Sequence, residues 1–339
     1  MKKTLTLILC SPFFISCVSS TSNSDIIKKL EVDFNYDEIS GSEVAYTGYS
    51  IKNQKYLNDL QNAGGDTFKL DLNIPSEVII EGKNYSVTVI GGNEFLNVYV
   101  RSVVIPKSVT RIEESAFVHY TKLESVDIPN SVTHIGSQAF AGCAKLENIV
   151  IPNSVKTIGA GAFSRCAKLE NIVIPNSVTY IGQFAFAGCA KLENIVIPNS
   201  VTYIGSKAFA GCAKLKNIVI PNSVTHIESK AFEGCIALRS LVIPASVTSI
   251  GAGVFSNCKY LESITFENPE PPYSCSHDTE YYSSSGIPLP PPSINEPNLT
   301  HVFSGSNVKT VYVPAGAVDT YKDYFSFTLG MEIDVLPIK

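Results

Sequence analysis

The residues best equipped for chemistry in this chain are cysteines and histidines, and their spacing argues against catalysis. Cys143, Cys166, Cys189, Cys212, Cys235 and Cys258 recur at a constant interval of 23 residues. A row of thiols can form disulfides or bind a soft metal. If successive 23-residue units stack, neighbouring cysteines approach the lower end of the disulfide range, but identically oriented Cβ vectors make bridging awkward. A small buried thiol packs well, and Tyr120 holds the same phase in the first full unit, against strict pairing. Six free, buried thiols are expected. One cysteine per unit with no histidine in phase makes a line rather than a tetrahedron, so no metal site is expected. His134 and His226 lie four units apart, roughly 19 Å at the usual strand spacing, too far to share a proton. Cys275 and His277 form a Cys-x-His trio with no oxyanion loop, phosphate cradle or His-Glu-x-x-His pattern nearby. Catalysis needs unlike groups converging, whereas an array repeats like groups at fixed separations. The chain reads as no enzyme, with no cofactor and no small-molecule substrate.

What positions these residues is an internal repeat. Ile128-Pro129-Asn130-Ser131-Val132-Thr133-His134-Ile135-Gly136 returns at residues 151–159, 174–182 and 197–205, each time 23 residues on. Seven full units occupy residues 105–265, and Val87-Thr88-Val89-Ile90-Gly91 with Phe95 reads as a degenerate eighth, shortened by about one residue. A unit of this length cannot enclose its own apolar side chains. Stacked at roughly 4.8 Å, each coil gains an identical neighbour above and below, and a continuous core results. Residues 146–151 alternate in character and read as a strand ended by Pro152; Val155 and Ile158 suggest a second short strand closed by Gly159. The spacing of Ala162, Phe163 and Cys166 suits a short helical or 3₁₀ turn that drops the phenylalanine into the core.

The composition agrees. Apolar residues make up 45% of the 339 and charged residues 17%, and 19 prolines and 22 glycines interrupt any long helix. A net charge of −5 offers no attraction to phosphate backbones, so nucleic acid is not an expected partner. Lys2 and Lys3 precede an apolar stretch at residues 5–15, too short to span a bilayer, which reads as a secretory signal over residues 1–16. Phe14-Ile15-Ser16-Cys17 resembles the bacterial lipobox, although Phe14 stands where leucine is usual. The resemblance implies cleavage before Cys17 and its acylation, with residues 17–30 as a flexible tether and the membrane reached only through that lipid.

The repeat itself resembles the BspA-type leucine-rich repeat family, whose units run approximately I-P-x-S-V-T-x-I-G-x-x-A-F-x-G-C-x-x-L. The resemblance covers residues 105–265 almost letter for letter and implies a β-rich solenoid. That fold is a right-handed coil array of leucine-rich repeats with short strands and short helical or 3₁₀ turns, capped at both ends. The expected order is a β-rich N-terminal cap at 31–81, the solenoid at 82–266, a Pro/Ser/Tyr-rich insertion at 267–302 and a closing unit at 303–339. Members of the family are typically surface or secreted proteins of host-associated microbes, several regarded as adhesins. The implied role is therefore protein binding at the bacterial envelope, at the outer membrane or cell surface. Host extracellular matrix proteins or other bacteria's surface proteins would be the partners. An envelope scaffold without a host ligand remains the other reading.

Three rows are candidate binding residues. Val150, Val173, Val196, Val219 and Val242 form an apolar stripe flanked by Asn148, Asn171, Asn194 and Asn217. This stripe is either a ligand face or core covered by a neighbouring segment. Lys145, Lys168, Lys191 and Lys214 run beside Glu147, Glu170 and Glu193, the latter row switching to Lys216 and Arg239; such rows chiefly keep a face solvated. A third row varies in content, and its Tyr180 and Tyr203 should be spatial neighbours, either recognition residues or a stacked cover for a strand edge.

Overall fold

A computed structural model describes residues 5–8, 15–16, 32–51, 70–80, 83–91, 100–275, 302–329 and 333–338. It is a β-solenoid of about nine turns. Cys17 and the tether after it, Phe95, His277 and His301 lie outside the described residues.

Each regular coil has three sides. The first is a short strand such as Asn148–Val150, narrower than the expected 146–151, with Ile149 buried and its two neighbours exposed. The second is a two-residue strand such as Thr157–Ile158, joined to the first through a turn in which the Val155 amide donates to the Pro152 carbonyl. The serine of this turn has a specific task. Ser154 Oγ donates to the Val132 carbonyl of the preceding coil at 2.6 Å, and Ser177, Ser200 and Ser223 repeat the bond one coil further each time. Next comes a glycine that sequence periodicity leaves unexplained. A Cβ built on Gly159 would stand 2.5 Å from the Ser137 backbone nitrogen, so the two coils can approach this closely only without a side chain there.

The third side is the expected short turn, with the phenylalanine buried. Around Ala139-Phe140 the chain makes consecutive turns rather than a helix, with left-handed φ at Gln138 (55°) and Gly142 (74°). Alternate amides therefore leave the coil: Gln138, Phe140 and Gly142 donate to the carbonyls of Ala160, Ala162 and Ser164 in the next coil at 2.7–2.8 Å. Turning every second peptide outward sacrifices the helix and yields a third inter-coil ladder. Inside it the phenylalanines form one column from Phe117 through Phe140, Phe163, Phe186, Phe209, Phe232 and Phe255 to Phe303. Their ring centroids are 5.2–6.0 Å apart and the planes lie within 15° of parallel.

The second strands join into one sheet that also takes in the N-terminal hairpin Val32–Ser40 and Glu43–Ile51, while the first strands pair in four separate groups. Glu43–Ile51 enters in parallel beside Lys83–Ile90, which pairs with Arg111–Ile112 at 22 rather than 23 residues, as the shortened unit requires. Leu5–Ile8 and Ile15–Ser16, within the segment read as a signal, pair with Val32–Ser40 and Leu70–Asn73. Buried Asp71 in the latter strand is held by Arg101 Nε at 2.8 Å and Ser102 Oγ at 2.6 Å, satisfying a carboxylate that would otherwise be costly there.

At the other end the repeat rhythm outlasts its sequence signature. Tyr273–Cys275, inside the segment expected to be insertion from 267, still pairs in parallel with Ser249–Gly251. Backbone pairing needs no particular side chain, which is why the missing isoleucine hid it. Residues 302–305 resume the turn side, and Thr310–Val313 and Asp334–Pro337 complete the first-strand ladder. Helix Val318–Leu329 closes the end: buried Tyr321 lies 5.5 Å from Phe266, and Phe325 lies 6.1 Å from Phe303, the last ring of the column. The Tyr321 hydroxyl donates to the Asn268 carbonyl at 3.0 Å and that of Tyr324 to the Pro272 carbonyl at 3.2 Å, fixing the proline-rich run against the cap.

Candidate ligand-binding face

The strand alternation that buries Ile149, Ile172, Ile195 and Ile218 forces the residues on either side outward. Asn148, Asn171, Asn194 and Asn217 are exposed, and the valine row is 77% exposed at Val150, 74% at Val173, 72% at Val196, 70% at Val219 and 48% at Val242. No described segment covers the stripe. Parallel in-register pairing places Asn148 beside Asn171 and Val150 beside Val173, and likewise Asn194 beside Asn217 and Val196 beside Val219. Between the last two asparagines, Asn217 Nδ2 donates to Asn194 Oδ1 at 3.3 Å.

One residue before each asparagine runs the charge row. Lys168 Nζ meets Glu147 at 3.0 Å and Lys191 meets Glu170 at 3.0 Å, each lysine reaching back one coil. Glu193 holds two cations, Lys216 at 3.0 Å and Lys214 at 3.8 Å. Hydrogen bonds from Lys168 and Lys216 keep the Glu147 and Glu193 carboxyls below their ordinary range. All these groups are well exposed, so the pairs contribute little to folding. The row then turns basic at Lys216 and Arg239. Tyr260, 56% exposed, lies under the Arg239 guanidinium at 5.9 Å from the ring centre. Tyr260 was not singled out from sequence; the available signal was that the lysine phase 145, 168, 191, 214 passes to Ala237 and then to this tyrosine.

Tyr180 and Tyr203 are neighbours, with ring centroids 5.2 Å apart, but they belong to the second strands rather than to the valine face. Tyr180 is only 9% exposed. The row continues to His226, stacked at 6.0 Å on Tyr203. His134 at the same phase shares a hydrogen bond of 2.8 Å with Thr157 Oγ1. Partial burial holds both imidazoles below their ordinary 6.5, with Arg111 adding to the effect at His134.

The six cysteines are free and fully buried. Each thiol donates to a phenylalanine carbonyl of the preceding coil, for example Cys189 to Phe163 at 3.2 Å. Burial pushes the Cys212 and Cys258 thiols up to about 12, so they stay protonated at ordinary pH. Among the described residues no three His, Cys, Asp or Glu side chains cluster as a metal site would require.

The sequence matches the family described as BspA type leucine rich repeat region, in six copies over residues 88–212 and 179–271. No curated protein matches it. Among solved structures, a leucine-rich repeat protein from Bacteroides ovatus is 26% identical, with a TM-score of 0.56 over 90% of this chain and 77% of the other. A leucine rich repeat protein of T. pallidum is 28% identical, with a TM-score of 0.49 over 67% of this chain and 87% of its own. A leucine rich cell surface protein from Faecalibacterium prausnitzii is 23% identical, with a TM-score of 0.45 over 95% and 94%.

Proposed function

This chain belongs to the BspA-type leucine-rich repeat family, and from that premise we propose that it is a lipid-anchored protein of the bacterial surface that binds other proteins through its valine and asparagine strand face. The observation that carries the reading is the row of five outward valines, four of them at least 70% exposed. Soluble proteins seldom leave a contiguous apolar strip to water unless something binds it. The strip has the composition of an interface: apolar centre, amide row for hydrogen bonds, charged margin that sets orientation. Its ligand is a protein of the host extracellular matrix or of another bacterial surface. Cys17 is the acylation site that holds the chain at the outer membrane or cell surface, and processing there removes the strands Leu5–Ile8 and Ile15–Ser16.

The test is equilibrium binding of the chain to a panel of extracellular matrix proteins, beside a variant carrying Val173→Lys, Val196→Lys and Val219→Lys. Because these side chains already face water, the variant is expected to keep its melting temperature. Saturable binding by the parent that the folded variant loses supports the reading. Absence of binding by the parent, together with resistance of the protein to protease added to intact cells, would favour an envelope scaffold instead. Incorporation of labelled fatty acid into the parent but not into Cys17→Ser tests the anchor.

A further inference from the structure

Two pairs of tyrosines among the described residues have their rings in contact, and they meet in different ways. Tyr321 and Tyr324 meet edge to face, with centroids 6.5 Å apart and planes at 66°, and both hydroxyls are committed to backbone carbonyls. Tyr180 and Tyr203 stand in register on adjacent parallel strands, with centroids 5.2 Å apart and planes tilted by 35°. We propose that Tyr180 and Tyr203 form an oxidative cross-linking site, at which a one-electron oxidant joins the two rings as dityrosine and fastens neighbouring coils covalently. The site lies on the second strands, so it does not depend on what the valine face binds.

The oxidant is hydrogen peroxide acting through a haem peroxidase. Each phenol gives up one electron and its O–H proton, which leaves two phenoxyl radicals with spin density on the ring carbons beside the oxygen. One such carbon from each ring forms the new C–C bond. Each of these carbons then passes its hydrogen to its own ring's oxygen, and both phenols are restored. Two electrons and two protons leave the protein in all, and they reduce one peroxide to two waters. His226, stacked at 6.0 Å on Tyr203, has no phenol and ends the reactive row.

The fold supplies what free tyrosines lack. Parallel pairing holds the two backbones at the strand spacing of about 4.8 Å, and a tyrosine ring turns about a broad torsion, so the ring edges can meet while the strands stay in place. Radicals held this close couple with each other before either meets a second molecule. Tyr203 is half-buried and Tyr180 only 9% exposed, so oxidising equivalents enter at Tyr203, and Tyr180 is screened from other chains. Exposed Tyr260 and Tyr273, by contrast, are open to other molecules and set the intermolecular background. A solenoid opens locally because each coil touches only its neighbours. A bond between residues 23 apart, in the fourth and fifth of the seven full units, pins the array at its middle.

The experiment treats the full chain with hydrogen peroxide and a haem peroxidase, and in parallel with photo-oxidised tris(bipyridine)ruthenium and persulfate, which withdraws electrons without docking. The expected product is a monomer lighter by two hydrogens that shows the blue fluorescence of dityrosine. Trypsin should release from it residues 169–191 joined to residues 192–207. Tyr180→Phe and Tyr203→Phe keep the ring stack and should each remove the monomer's fluorescence, whereas Tyr324→Phe should leave it. Amide hydrogens of the two joined coils should exchange more slowly in the coupled chain. Monomer fluorescence that survives in Tyr180→Phe or Tyr203→Phe would overturn the proposal. So would coupling found only between molecules, no coupled product with either oxidant, or unchanged exchange once the rings are joined.

Discussion

The thiol of Cys166 donates to the Phe140 carbonyl of the preceding coil at 3.2 Å, and the Cys166 amide bonds to Phe163 in its own coil at 3.2 Å. One small residue thus ties the turn side together in two directions, along the solenoid and within the coil. Its column runs from Cys143 to Cys258 with none of the six exposed.

From this follows a prediction about reactivity. In the native protein at about pH 8, where an ordinary thiol begins to ionise, the six column thiols should resist iodoacetamide for hours, and in denaturant all six should label. Peptide mass mapping distinguishes them from Cys275. Rapid labelling of Cys189 or Cys212 in the folded state would mean that the column is open to solvent or that its thiols ionise far more easily than their burial implies.

The phenylalanine column should fail locally when interrupted. Phe186 is fully buried between Phe163 at 5.6 Å and Phe209 at 5.5 Å. Phe186→Ala should cost about 3 to 5 kcal/mol, with Phe186→Leu costing clearly less. Because coils contact only their neighbours, hydrogen exchange should quicken first in the adjoining coils. Uniform acceleration along the whole array would contradict that picture.

Gly159 tests the close approach of two backbones. A methyl group there meets the Ser137 nitrogen at 2.5 Å and the Gly136 carbonyl carbon at 2.6 Å, neither of which can rotate away. Gly159→Ala should therefore destabilise by about 1 to 3 kcal/mol, although alanine favours regular structure. Chemical denaturation gives the value; an unchanged midpoint would show that the coils separate freely.

The half-buried histidines predict the direction of pH dependence. His134 and His226 are held below 6.5 mainly by burial, so between their folded and unfolded pKa values the unfolded chain binds more protons. Their contribution to stability is full above about pH 7 and is lost as the pH falls through the folded values. The melting temperature should drop on acidification from about pH 7.5 to 5, and a His134→Gln, His226→Gln double variant should show a shallower drop. A steeper drop in the double variant would reverse the sign assigned here.

Much of this was legible in the letters of one repeat. The 23-residue period dictated stacking, since no single unit can bury Leu146, Ile149, Ile158 and Phe163 by itself, and stacking dictated that cysteine neighbours cysteine and Tyr180 neighbours Tyr203. Strand alternation set valine and isoleucine on opposite sides. What the letters left open were matters of surroundings rather than of pattern. Whether Val173 faces water or a covering segment depends on where distant chain lies, and only the assembled coils leave it 74% exposed. The short turn that drops Phe140 into the core was legible, but residue spacing reports which side chains converge, not which way each amide points. The amides are settled by the acceptors that the next coil supplies. Tyr273–Cys275 joined the ladder without the motif for the same reason: a neighbouring strand offers its hydrogen bonds to any backbone that reaches it. Periodic burial is a property of the sequence, whereas exposure, peptide orientation and the capping of the last coil exist only between segments, and folding alone brings those together.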